Sequence, residues 1–92
     1  MKSFYLGVDV SKGYADFVII NQQKQPVIKG FQLDDTFDGH SRLHEIVRRF
    51  LTDHPQAVMC AAVESTGGYE NNWYNTLIRL HASLNIKTAR LN

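Results

Sequence analysis

The sequence predicts one α/β domain, a mixed sheet of five strands with two helices packed on it. Three observations predict it. The first third of the chain holds apolar runs with a period of two, separated by turn residues. The middle of the chain then switches to helical spacing. Finally, the unbroken apolar run AVMCAAV (57–63) lies between two helical patterns, as in a strand–helix–strand unit. A chain of 92 residues fits one small domain and leaves no room for two.

Phe4, Leu6, Val8 and Val10 alternate with Tyr5, Gly7 and Asp9. The second set is not uniformly polar, so the spacing predicts a strand buried on both faces. Ser11-Lys12-Gly13 reads as a turn, and Tyr14 to Ile20 as the second strand, followed by the polar connection Asn21 to Gln25. Val27 to Leu33 reads as the third strand, and Pro26, which cannot donate to a ladder, fits its first position. Leu43, Ile46, Val47, Phe50 and Leu51 then form the stripe of an amphipathic helix, with Asp38 as the expected N-cap. His54-Pro55 ends that helix, because the residue before a proline avoids the α region. The run 57–63 reads as a central parallel strand covered on both faces and ended by Glu64. After the turn Ser65-Thr66-Gly67-Gly68, the stripe Tyr69, Trp73, Leu77, Leu80 and Leu84 predicts the second helix. Ile86 to Leu91 starts a last strand, parallel to the fourth through a right-handed crossover. That strand meets the chain end at Asn92, and two helices are few for two sheet faces. The expectation is a piece of a longer protein with apolar surface left open, which invites pairing between copies.

Composition narrows the function classes. With 43% hydrophobic and 21% charged residues, the chain is neither disordered, nor a coiled coil, nor collagen-like. No apolar run approaches the ~20 residues that span a bilayer, and the start MKSFYLGVDVSK lacks the apolar core of a signal peptide. The expected location is therefore cytoplasmic, with no membrane partner. One cysteine, Cys60, gives neither a disulfide framework nor a Cys-rich zinc site, and reads as a small core side chain. A net charge of +1 means that a nucleic-acid partner must be argued from a site, not from bulk charge.

Asp9 and Glu64 are the candidate site. Asp9 lies between Val8 and Val10, where an unpaired buried carboxylate costs several kcal/mol and calls for a partner, a metal or a raised pKa. The competing reading is an acceptor for the amides of the Ser11–Gly13 turn. Glu64 ends a strand with no other polar side chain, and its competing reading is a solvated loop residue. Ligands of open α/β sheets gather outside the carboxyl ends of strands. If the two strands are parallel neighbours, the two carboxylates share a crevice, and oxygen-only ligation favours Mg²⁺ or Mn²⁺. A pair of such ions supports in-line phosphodiester displacement. Gly67 and Gly68 would let a phosphate backbone approach, with Ser65, Thr66 and Tyr69 beside it and Lys12 as a nearby cation. The plainer reading of Ser65 and Thr66 is a helix cap, and of Lys12 a solvated turn residue. His40 and His44, four apart, do not form an H-E-x-x-H motif and read as surface residues. Trp73 reads as core; Tyr69 and Tyr74 are left open between packing and base stacking.

FYLGVDVSK (4–12) and VESTGGYE (63–70) resemble the N-terminal part of the DEDD-type transposases of the insertion-sequence one-ten family, which are related to the Piv invertases. The resemblance spans essentially the whole chain. It implies a ribonuclease H-like domain similar to the resolvase RuvC, with a mixed sheet in the order 3-2-1-4-5. It further implies that Asp9 and Glu64 are the first two of four acidic residues that hold Mg²⁺. The third and fourth would follow the strand IKTARLN (86–92), beyond this sequence, as would a domain carrying a nucleophilic serine. The implied activity is cutting and rejoining DNA as a multimer, in some members with an element-encoded guide RNA; this piece alone is then expected to be inactive. The other class considered is a lobe of an actin-like sugar kinase or ATPase, which opens with a similar strand and Gly-x-Asp turn. A non-catalytic ribonuclease H-like module is the third. A pair of aspartates shortly after Asn92 would favour the nuclease-type site, and a second Gly-rich phosphate loop far downstream the kinase.

Overall fold

A computed structural model describes residues 2–64 and 67–91. The elements run β1 (Lys2–Ser11), β2 (Tyr14–Ile20), β3 (Phe31–Asp34), α1 (Phe37–Asp53), β4 (Ala57–Glu64), α2 (Asn71–Leu80) and β5 (Ile86–Leu91). One five-stranded sheet has the order β3-β2-β1-β4-β5. β1 is antiparallel to β2 and parallel to β4, β2 is antiparallel to β3, and β4 is parallel to β5.

The β1–β2 hairpin closes through a two-residue loop, Lys12-Gly13, with Ser11 opposite Tyr14. Gly13 has φ 87°, a left-handed conformation that costs glycine nothing. Ser11 therefore belongs to the strand and not to the turn. The third strand is shorter than its expected span of 27–33. Asn21 Oδ1 accepts from the amides of Gln23 and Gln25, and Pro26 makes only an isolated bridge to Ile20. Regular pairing starts at Phe31, whose ring stacks on Phe17 at 5.1 Å.

α1 starts ahead of the expected cap. Thr36 is the N-cap, extended at φ −136° and ψ 168°, and its Oγ1 accepts from the Gly39 amide at 3.1 Å. Asp38 lies instead in the first turn, where its charge suits the positive end of the helix dipole. The helix does end before His54, whose ring stacks on Phe50 at 4.3 Å. In α2, Trp73, Leu77 and Leu80 are buried, whereas Tyr69 precedes the helix and is exposed.

Burial in the strands is one-sided, which corrects the expectation that the first and fourth strands are covered on both faces. In β1, Phe4, Leu6, Val8 and Val10 are buried, while Tyr5 and Asp9 are exposed. In β4, Ala57, Met59, Ala61 and Val63 are buried, and Val58, Cys60 and Ala62 are half-buried. The pleat alternates side chains between faces, and the two helices pack over the same one. Their residues Leu43, Val47, Phe50, Trp73 and Leu77 join that set in one core. Cys60, expected in the core, thus sits on the open face. Small side chains such as Ala62 and Gly7 make a half-covered strand look like a fully covered one in sequence. No helix is long and apolar enough to cross a membrane among the described residues.

Candidate functional site

Strand register builds the site. The last paired residues of β1 and β4 are Val8 and Val63, so Asp9 and Glu64 follow at the same level on neighbouring parallel strands. Val8 and Val63 are buried beneath the helices, and alternation therefore turns Asp9 and Glu64 to the open face. Asp9 pairs with Asp16 across the hairpin, Asp16 pairs with Gln32, and Glu64 pairs with Leu91. A row of side chains thus crosses the sheet in the order Gln32, Asp16, Asp9, Glu64, Leu91, near the carboxyl ends of β1, β4 and β5.

This row edges a depression of about 300 Å³, lined among others by Gly7, Asp9, Asp16, Val18, Ala62 and Glu64. Its floor is low because Gly7 has no side chain; a Cβ there would lie 3.3 Å from Val18 Cγ1. Among the described residues the depression presents carboxylates and no cationic group. Asp16 Oδ1 accepts from Gln32 Nε2 at 3.0 Å, which fixes one edge of the row.

Asp9 and Glu64 are both solvent-exposed, so the expected burial penalty on Asp9 does not arise. Nor does a turn amide of Ser11–Gly13 donate to Asp9 among the described residues, which removes the turn-acceptor reading. Asp16 was missed in the sequence. A two-residue loop after Ser11 places Asp16 opposite Asp9, so counting back along the hairpin finds it.

The donor set is oxygen only, which suits a hard divalent cation. Among the described residues no three His, Cys, Asp or Glu side chains are grouped to hold a metal ion. Asp9, Glu64 and Asp16 place carboxylate oxygens along one row without forming such a group.

The residues expected to touch nucleic acid are only partly placed. Ser65 and Thr66 lie outside the described residues. Gly67 and Gly68 are exposed with φ 63° and 91°, and Tyr69 next to them is exposed. Lys12 sits at the hairpin tip and does not line the depression. Tyr74 has a defined partner: Arg90 of β5 lies over its ring, 4.1 Å from the centroid. Arg90 also donates to Asn71 Oδ1 at 3.2 Å and pairs with Glu70 at 3.5 Å. Glu70 is only 4% exposed, so this cation offsets the cost of burying its carboxylate while tying β5 to α2.

No family model matches the chain, and no curated protein matches it.

Proposed function

We propose that this chain is the N-terminal part of a RuvC-like, ribonuclease H-like catalytic domain from a DEDD-type transposase or recombinase, which cuts and rejoins DNA. The observation that supports it most is the placement of Asp9 and Glu64. They stand at one level on adjacent parallel strands, on the face that the helices leave open. The order β3-β2-β1-β4-β5 is the order that the resemblance implies.

In this reading Asp9 and Glu64 hold Mg²⁺ or Mn²⁺ together with acidic residues supplied after β5. When bound, the cation offsets negative charge developing on the scissile phosphate. The chain's own contribution is positional. The β1–β4 ladder fixes the spacing of the two carboxylates, and the open face leaves room for a DNA strand. Gly7 and Ala62 keep the floor low enough for a phosphodiester to approach. The exposed glycines 67 and 68 lie after Glu64, where a backbone phosphate would meet little steric bulk. DNA is the partner, and multimeric assembly and a guide RNA belong to the same proposal.

The test is Mg²⁺-dependent cleavage of supercoiled DNA by the protein carrying its downstream sequence, with thermal melts in parallel. Asp9→Asn and Glu64→Gln keep shape and remove charge. Each is expected to lower cleavage ~100-fold or more while leaving the melt nearly unchanged. Normal cleavage by a well-folded Asp9→Asn protein would defeat the reading.

A further inference from the structure

The helix side of the molecule carries a second depression, of about 350 Å³, between α1 and α2. Its walls are two matched stripes. Phe37, His40, Ser41 and His44 come from α1, and Thr76, Arg79 and Leu80 from α2, with Ser83 just past the end of α2. Each set follows the i, i+3, i+4, i+7 spacing that puts residues on one side of a helix.

The chemistry of this groove is opposite to that of the sheet depression, since no carboxylate lines it. Two of the acids nearest to it in the chain are engaged, and Asp38, next to Phe37, is exposed in the first turn of α1 without lining the groove. Asp35 Oδ1 lies 2.6 Å from His40 Nε2 and also takes Asn72 Nδ2 at 3.3 Å. Glu45, beside His44, binds the Arg48 guanidinium, with Nε at 3.1 Å. Arg79 is exposed and has no ion-pair partner among the described residues. The groove wall is firm, because the His40 ring meets the buried Trp73 ring edge-on at 4.9 Å. At the mouth, Phe37 is 82% exposed, the most exposed large apolar side chain described. An aromatic face beside an arginine, a histidine and hydroxyls is the combination that holds single strands: bases stack, and the cation meets phosphate.

We propose that the α1–α2 groove binds a single-stranded nucleic-acid segment, with a base stacked on Phe37 and the adjoining phosphate met by Arg79, His44 and the hydroxyls of Ser41 and Ser83. An acidic peptide would satisfy Arg79 but would leave Phe37 in water. The groove lies on the other side of the sheet from Asp9 and Glu64, so this assignment stands or falls independently of the metal-site reading.

The experiment is fluorescence anisotropy of end-labelled oligothymidylate and oligouridylate with the 92-residue chain, at low salt and with a chelator present. Phe37→Ala and Arg79→Ala are each expected to weaken binding about tenfold, and Phe37→Tyr to keep it. Gln22→Ala, at an exposed position outside the groove, is expected to leave it unchanged. Circular dichroism checks the fold, and both groove substitutions are at exposed positions. Preference for one oligonucleotide would assign the groove to DNA or to RNA. Unchanged binding in Phe37→Ala and Arg79→Ala would overturn the proposal, as would displacement by an oligoglutamate peptide at equal concentration.

Discussion

The two faces of this sheet are built from the same strands and do different work. On the helix-covered face, Leu6, Ile19, Met59 and Val63 meet Leu43, Trp73 and Leu77 with almost no exposure. On the open face the same strands present Asp16, Asp9 and Glu64 in a row, over a floor of Gly7 and Ala62. Stability is concentrated on the first face and polar chemistry on the second. The pleat makes this separation possible, because neighbouring residues of one strand belong to different environments. Val8 is buried and Asp9 exposed, one residue apart.

The largest expected contrast is in stability. Trp73 is fully buried and contacts Phe17 edge-on at 5.2 Å, so Trp73→Ala leaves a large cavity. The expected loss is ~3–5 kcal/mol, a large fraction of the total for a small domain. On the open face, Val18→Ala removes a half-buried side chain and should cost less than ~1 kcal/mol. Trp73→Phe separates packing from hydrogen bonding. The indole Nε1 has no hydrogen-bond partner among the described residues, so losing that N–H should itself cost nothing. Chemical denaturation of the three variants gives the measurement; equal losses for Trp73→Ala and Val18→Ala would break the contrast.

A second break point lies at the start of α1. A Cβ on Gly39 would overlap the Asp34 carbonyl oxygen, which belongs to backbone and cannot rotate away. Gly39→Ala should therefore cost ~1–3 kcal/mol, although alanine is the better helix former. A neutral or stabilising result in the same denaturation assay would mean that β3 and α1 do not pack this closely.

The one-sided sheet also explains what was legible in the sequence and what was not. The order of elements and the bounds of β2 and β5 follow from apolar spacing and turn residues. The one-sided burial did not follow, because residues such as Gly7, Cys60 and Ala62 are small or apolar although they face outward. The N-cap was misplaced because Thr36 and Asp38 both carry a capping oxygen, and only backbone geometry selects Thr36. Asp9 and Glu64 stood out because each interrupts or ends an apolar run. Asp16 did not, since its partner Asp9 lies across a hairpin whose register depends on one turn. Arg90 was equally hidden, because its partners Glu70 and Tyr74 lie on another element.

The smallest expected effect concerns why the open face keeps its acids. Asp9 and Asp16 are direct cross-strand partners, and like charges placed so oppose folding. Asp16→Asn removes that repulsion and retains an oxygen that can accept from Gln32 Nε2. The fold should gain ~0.2–1 kcal/mol, seen as a rise in Tm at low ionic strength. Salt screens exposed charges, so the gain should shrink toward zero in ~1 M salt. A divalent cation held between the carboxylates should reverse the ranking, because the wild type would then bind it better than the variant and be stabilised more. Melts with and without Mg²⁺ therefore separate two explanations for the same row of acids. If Asp16→Asn destabilises the chain in both conditions, the carboxylate serves the hairpin itself. If the variant is more stable without Mg²⁺ and loses its lead with it, the open face holds its charge at the expense of the fold, in favour of a ligand.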